Sequence, residues 1–329
     1  MVTPVSARRL RGAPVVEFGA VAGYGPIFNA GAIEVDDVIH LFARGVRDGY
    51  VRNGGDGPRF LDYVSDVLVF TSEDGIEFRF QQVLATGAAE GAYSIEDPRV
   101  QRVESGGREH VLMTYTHLPH PGSGEPWRVG VHRLAYAEGC FALNPTSGRV
   151  VGATGVADKD AVLFNLTDGR VALLHRIHPD MQLALFDSLE HLYTADGDYW
   201  EEHVRELARH TVIRPSPGAL GVGAGAPPVA TEAGLLLFYH ERDRDGRYTM
   251  NVALLDRDSG GVLSLLPDPI LRPELTWERE GDVDEVVFVQ GALPRADGTI
   301  YLTYGAADRC VGAATVEKDE LLDALRRAA

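Results

Sequence analysis

Cysteine is nearly absent from this sequence of 329 residues. Only Cys140 and Cys310 occur, with neither a Cys-x-x-Cys pair nor a Cys/His ligand spacing, which excludes a disulfide framework and a structural zinc site and leaves two free thiols as the expectation. Cationic side chains are in deficit too. With 31 Lys and Arg against 48 Asp and Glu the net charge is −17, so the surface as a whole repels a nucleic-acid backbone and an anionic ligand needs a local basic pocket. No apolar run reaches the roughly 18 residues of a membrane span, and the segment MVTPVSARRLRGAPVV has no continuous apolar stretch of signal-peptide type. A cytoplasmic protein that binds neither membrane nor nucleic acid is expected. Catalytic signatures are missing as well: there is no G-x-S-x-G elbow and no H-E-x-x-H. The stretch Ser216 to Pro228 contains GVGAGA but not the G-x-G-x-x-G spacing, and Pro227 and Pro228 follow where a helix would have to run, which removes nucleotide binding. Nothing signals a metal or an organic cofactor.

What the sequence does contain is a repeat. Its composition, 45 % hydrophobic and 24 % charged, is that of a folded globular chain. Five times a short polar turn with Gly or Asp leads into an apolar, β-branched or aromatic run: DDVIHLFAR from Asp36, GGREHVLMTYTH from Gly106, DGRVALLHRIH from Asp168, AGLLLFYHE from Ala233 and DGTIYLTYGAAD from Asp297. The runs start near positions 37, 107, 169, 234 and 298, at intervals of 70, 62, 65 and 64, close to a fifth of the chain. A second extended run precedes each turn, so each unit opens as a β-hairpin. Segments such as Asp66 to Phe78 and Tyr248 to Asp256 supply further strands. Five sheets of four strands, set radially, make an all-β, five-bladed β-propeller of one domain over residues 1–329; an irregular pair of β-sandwiches is the competing architecture. Two segments read as helical: Trp200 to His210, a short insertion, and EKDELLDALRRAA, a C-terminal helix with Leu321, Leu322 and Leu325 on one side. The second is a possible surface for self-association.

A propeller brings equivalent positions of every blade to one central funnel, so the repeat nominates a site. Its strand ends carry Arg44, Thr116 with His117, Arg176, His240, and Tyr304 through Asp308, while the partner strands open with Asn29, Asp97, Asp160 and Glu285. In SIEDPRV the proline forces Asp97 into extended backbone and places Arg99 on the same face two residues on. Lys159, Arg176 and His240 together would cradle an anion, Arg by its fork and Lys as a point charge; a structural ion-pair network with the neighbouring Asp residues is the rival reading. Tyr239, Tyr115 and Trp127 are candidates to stack on the ring face of a ligand or to fill the core.

At FNAGAIEV, LFARG, SEDGIEF, IEDPRV, DKDAVLF, LLHR, GAGAPPVAT, LLLFYH, PDPIL and YGAADRCVGAAT, in that order along most of the chain, the sequence resembles glycoside hydrolase family 130, the β-mannoside phosphorylases and related mannosidases. The resemblance implies a five-bladed propeller and an inverting enzyme that cleaves a terminal β-mannosidic bond with inorganic phosphate as co-substrate, giving α-mannose 1-phosphate. It implies Asp97 as proton donor, acting through the 3-hydroxyl of the mannosyl unit. Lys159, Arg176 and His240 match phosphate positions, with Arg44 and Arg59 less securely aligned. Asp308 matches a position that hydrogen-bonds sugar hydroxyls, and Asn29, Arg99, Asp160 and Tyr239 complete the expected substrate contacts. Phosphate as nucleophile leaves the protein only one acid to supply, whereas an ordinary inverting hydrolase needs a second carboxylate for water. Departures from the family pattern are Glu241 where a glycine is usual and Glu285 in place of an apolar segment, so either is a candidate base for a hydrolase of the same bond. The insertion from Gly49 to Asp66 leaves linkage and acceptor open. A non-catalytic sugar-binding propeller is the alternative outside enzymology.

Overall fold

In the computed structural model, which describes residues 5–54 and 59–328, the strands form five sheets whose inner strands pack against one another in a ring, a five-bladed β-propeller. Gly55 to Pro58, in the insertion, lie outside the described residues. From the axis outward, blade 1 runs Tyr24–Val35, Val38–Arg47, Ser65–Ser72 and Arg79–Ala85. Blade 2 runs Ser94–Ser105, Arg108–Leu118, Arg128–Ala137 and Cys140–Leu143, with Arg149–Val151 also paired to its third strand. Blade 3 is Lys159–Asn165, Val171–Arg176, Met181–Phe186 and Thr211–Ile213. In blade 4 the inner position is split between Gly221–Ala224 and Val229–Thr231, both paired to Gly234–Arg242, and Tyr248–Leu255 and Val262–Leu265 follow. The second strands therefore start at 38, 108, 171, 234 and 299, where the repeat places them. Local chemistry sets the hairpins: Asp36-Asp37, Gly106-Gly107 and Glu138-Gly139 are two-residue turns with both residues at positive φ, the twist that matches antiparallel strands.

Blade 5 consists of Val287–Pro294, Thr299–Ala306, Cys310–Glu317 and, as its outermost strand, Arg8–Arg9 from the other end of the chain. This closure has no signature in the repeat. It is fixed by a buried carboxylate: Glu278 accepts from Arg9 Nε at 2.7 Å and from Tyr304 Oη at 2.8 Å, satisfying a charge that would otherwise cost several kcal/mol to bury, by order of magnitude. The core is the set of apolar layers between blades, such as Val162, Leu174, Val222 and Leu237 between blades 3 and 4. Three short helices, α1 (Leu189–Thr194), α2 (Gly197–Arg205) and α3 (Leu207–His210), interrupt blade 3 before its outer strand, and Ser188 and Asp196 cap α1 and α2. Helix α4 (Lys318–Ala328) buries Leu321, Leu322 and Leu325 within the chain's own core, with Ser264 Oγ donating to Leu325 O at 2.7 Å. The association that the sequence placed on this helix thus finds no free apolar face there. Cys140 and Cys310 are both free thiols. Among the described residues no helix is long and apolar enough to cross a membrane.

Candidate active site

The site is built from one device used three times. Asn29, Asp97 and Asp160 each sit at a register shift in the inner strand of blades 1, 2 and 3, and each has positive φ, between 47° and 53°, so Asp97 is left-handed at a bulge and not extended as the following proline suggested. A bulge re-aims the side chain out of the sheet, and Asn and Asp are the non-glycine residues that best tolerate left-handed backbone. In blade 5 the shift falls at Gln290, buried and donating to Pro98 O at 2.8 Å. In blade 4 the strand breaks at Gly225, and backbone carbonyls take the place of a side chain.

Around the axis these residues make two linked clusters. In the first, Asp97 Oδ1 accepts from Asn29 Nδ2 at 2.8 Å and lies 3.3 Å from Arg44 Nη1, while Arg44 also pairs with Glu96 and donates to Ser65 Oγ at 3.1 Å. Burial pushes Asp97 upward, but Arg44, Lys159, Arg99 and the Asn29 hydrogen bond together outweigh it and hold the carboxylate ionised. The same burial, reinforced by Asp97, raises Glu96 against the pull of Arg44. Asp308 is pushed up to about 7 by burial, which exceeds the attraction of Arg44 and is helped by Asp97 and Glu96. Gly305 is obligatory here: a Cβ would lie 1.8 Å from Asn29 Oδ1.

In the second cluster Asp160 is the hub. Its Oδ1 accepts from Arg99 Nη2 at 3.1 Å, and its Oδ2 is 2.8 Å from Arg176 Nε and 3.4 Å from His240 Nε2. The Arg176 contact is ionic, since that N–H is not directed at the oxygen. Burial opposes the charge on Asp160, yet Arg176, His240 and Lys159 carry it well below the usual carboxylate range. His240 is pushed down to about 4, chiefly by burial against the pull of Asp160, and its ring stacks on Phe288 at 4.0 Å. It is therefore neutral near pH 7. A Cβ at Gly223 would meet Asp160 Oδ2 at 2.4 Å. Beside this hub opens a cavity of about 210 Å³ lined by Trp127, Lys159, Arg176, His178, His240, Arg242 and Tyr248, with no carboxylate in its lining. Larger cavities exist, one of 630 Å³ at the opposite ends of the inner strands and one of 520 Å³ around His40, but neither gathers cations. Among the described residues no group of three or more His, Cys, Asp or Glu is placed to hold a metal ion.

Several expected residues are relocated. Arg99 and Asp160 are each 1 % exposed; they brace the site rather than line it, Arg99 also donating to the carbonyls of Ala224, Gly225 and Asp97. Arg44 belongs to the carboxylate cluster, where its charge is already matched, and does not line the cationic cavity. Arg59 is exposed, its guanidinium 6.0 Å from the Phe60 ring centroid. Tyr239 is buried in the layer between blades 3 and 4, because strand alternation puts it and Glu241 on the face away from His240 and Arg242. Glu241 accepts from the Ser216 N–H at 2.8 Å. Glu285, taken as the blade-5 counterpart of Asp97, precedes the inner strand and is tied to Arg279 at 2.9 Å and Arg247 at 3.5 Å; Gln290 holds the equivalent position. Missed by the sequence reading were His178, Arg242 and Tyr248. Arg242 could have been found by counting two residues along the strand from His240. His178 closes the repeat run from Asp168 and stands two residues past Arg176, so the same count would have found it although it lies beyond the end of its strand. The insertion after Gly49 is a strap: Val51–Arg52 pairs with Phe60–Leu61, Tyr63 Oη donates to Asp282 Oδ2 at 3.0 Å, and Arg44 lies 5.5 Å from the Tyr63 ring centroid.

The funnel of this propeller thus sets the bulge-mounted carboxylates Asp97 and Asp160 next to a cationic cavity. Residues 8–327 match glycoside hydrolase family 130, described as beta-1,4-mannooligosaccharide phosphorylase, and the chain belongs to that family. It is 30 % identical over 302 residues to a 1,2-beta-oligomannan phosphorylase and 32 % identical over 300 residues to a beta-1,2-mannobiose phosphorylase, both of Thermoanaerobacter sp. strain X514. In each case 90 % of this chain and 91 % of the relative are covered. The solved beta-1,2-mannobiose phosphorylase of Listeria innocua superposes with a TM-score of 0.73 over 98 % of this chain and 99 % of that one, at 21 % identity, which speaks to the fold.

Proposed function

We propose that this protein is an inverting phosphorylase of short β-mannosides, with β-1,2-linked mannobiose as the preferred class of substrate. The observation that carries the reading is the carboxylate-free cavity of Lys159, Arg176, His178, His240 and Arg242 beside a separately braced acid. A phosphate dianion in that cavity meets guanidinium forks and an ammonium with no carboxylate in the lining to compete for them. Its oxygen attacks C1 of the mannosyl unit, the glycosidic C–O bond breaks, and the leaving oxygen takes the proton of Asp97, by the route through the 3-hydroxyl that the family resemblance implies.

The electrostatics give this cycle an order. In the free protein Lys159, Arg44 and Arg99 keep Asp97 ionised. Phosphate bound on Lys159 cancels part of that field and adds negative charge, which raises the Asp97 pKa and loads the acid only when its co-substrate is present. The linkage rests on the two relatives, both named for β-1,2 substrates and similar over nine-tenths of the chain. Hydrolysis is the less supported outcome, because Glu241 and Glu285 are engaged elsewhere. The test is turnover of β-1,2- and β-1,4-mannobiose with and without phosphate, scored for mannose 1-phosphate against free mannose. Phosphate-dependent release of mannose 1-phosphate, faster from the β-1,2 isomer, is expected. Free mannose formed at the same rate without phosphate would refute phosphorolysis, and a preference for the β-1,4 isomer would refute the linkage.

A further inference from the structure

Behind the cationic cavity runs a second polar chain that the proposed chemistry does not use. His175 Nδ1 and Asp158 Oδ2 are 2.8 Å apart, and His175 Nε2 faces His203 Nε2 at 3.0 Å. The three residues are 1 %, 0 % and 3 % exposed for Asp158, His175 and His203. The His203 ring stacks on His210 with centroids 4.2 Å apart, and Trp200 meets both His175 and His203 edge-on. The chain therefore starts on α2 and α3 of the blade-3 insertion and ends at the base of the blade's first strand.

Its position gives it meaning. Asp158 immediately precedes Lys159, His175 immediately precedes Arg176, and Lys159 and Arg176 are register partners. The Asp158 N–H also donates to Trp127 O at 3.1 Å, and Trp127 lines the same cavity. Both blade-3 strand ends that present a cation to the cavity are thus held, one residue away, by the buried chain. Apolar packing would have been the less costly way to seat a helix on a blade. A hydrogen-bonded chain instead fixes direction: with Asp158 accepting at Nδ1, two facing Nε2 atoms must share one hydrogen, which permits a single mutual orientation of the rings.

We propose that Asp158, His175 and His203 are positioning residues for the phosphate cradle, through which the helical insertion of blade 3 sets the separation of Lys159 and Arg176. This rests on the phosphorolytic reading and deepens it. Neither Asp158, His175 nor His203 lines the cavity, so the effect must appear in phosphate binding and spare the sugar.

The test uses the full chain and two variants of one residue. His203→Phe keeps the ring packed near Trp200 and removes the nitrogen; His203→Gln restores a polar atom near the place of Nε2. For His203→Phe the KM for phosphate should rise about tenfold, the lower edge of what loss of supporting hydrogen bonds costs at metal sites, with mannoside KM and kcat at saturating phosphate within about twofold of wild type. His203→Gln should recover phosphate KM to within about threefold. A phosphate KM unchanged in His203→Phe, a parallel rise in both KM values, or no recovery with Gln would overturn the proposal. Should His203→Phe fail to fold, Asp158→Asn is read in the same way: a raised phosphate KM alone supports the proposal and an unchanged one overturns it. The two levels separate cleanly. A wild-type enzyme indifferent to phosphate refutes the phosphorolytic reading, whereas a phosphate-dependent wild type beside a His203→Phe variant of normal phosphate KM refutes the positioning chain alone.

Discussion

Asp160→Asn is the perturbation that most directly tests how the site is held together. The substitution is nearly isosteric, so packing is preserved while one buried negative charge disappears. Arg99 at 3.1 Å and Arg176 at 2.8 Å lose their common counter-ion and His240 loses a polar neighbour at 3.4 Å, and Arg99, itself 1 % exposed, cannot recover the loss from water. Removing one partner of a buried pair costs about 3–5 kcal/mol. With an unfolding entropy of about 2.1 cal/mol/K per residue, a chain of 329 residues loses roughly 4–7 °C in Tm for that amount. The pH dependence has a definite sign. The folded pKa of Asp160 is depressed, so the stability it contributes is present above the unfolded value near 3.8 and is lost only as the pH falls through the lower folded value. The gap between wild type and variant should therefore stay constant from pH 8 to pH 5 in thermal melts at low salt, and close only in stronger acid. A Tm within 1 °C of wild type at pH 7, or a gap that shrinks between pH 7 and pH 5, would show that Asp160 is not the ionised hub described above.

Two further outcomes follow from the same geometry. Because the Asp308 carboxyl is raised from 3.8 to about 7, its folded form is favoured below pH 4 and that advantage drains away as the pH rises to 7. Asp308→Asn should therefore match wild type at pH 4 and exceed it above pH 7, by at most about 4 kcal/mol or 6 °C, and equal melting curves at pH 8 would contradict the shift. Gly305→Ala should push Asn29 off Asp97, since the new Cβ lies 1.8 Å from Asn29 Oδ1; a loss of about 10²-fold in kcat with only about 1–3 kcal/mol of stability is expected, and a kcat within threefold of wild type would mean Asn29 does not seat the acid.

How much of this could be read beforehand depended on the range of the interactions. The five hairpins were legible because a hairpin is local: turn residues and apolar alternation lie within a dozen positions, and the second strands begin where the repeat put them. Asn29, Asp97 and Asp160 were nominated for the same reason, by recurrence in one frame. Glu285 was misplaced because the blade-5 bulge falls five residues later, at Gln290, and a carboxylate near the strand opening imitated the pattern. Tyr239 was assigned to the site as an aromatic and Glu241 as a departure from the family pattern, although period-2 alternation sends both to the face opposite His240. Arg44 and Arg59 were grouped with the phosphate residues by the family resemblance; that Arg44 is committed elsewhere depends on partners 52 and 53 positions away, and a strap leaves Arg59 in solvent.

By itself, then, the chain's own pattern determined the number of blades and nominated Asn29, Asp97 and Asp160 at the inner strands of three of them, because hairpins are local and the same pattern recurs five times along the chain. The closing of the ring by Arg8–Arg9, the sorting of basic residues into braced and cavity-facing sets, and the recruitment of His178 and Arg242 were decided only by tertiary structure. These depend on which blades become neighbours, and the energy of a buried charge is set by groups brought to it from other blades rather than by those beside it in the chain.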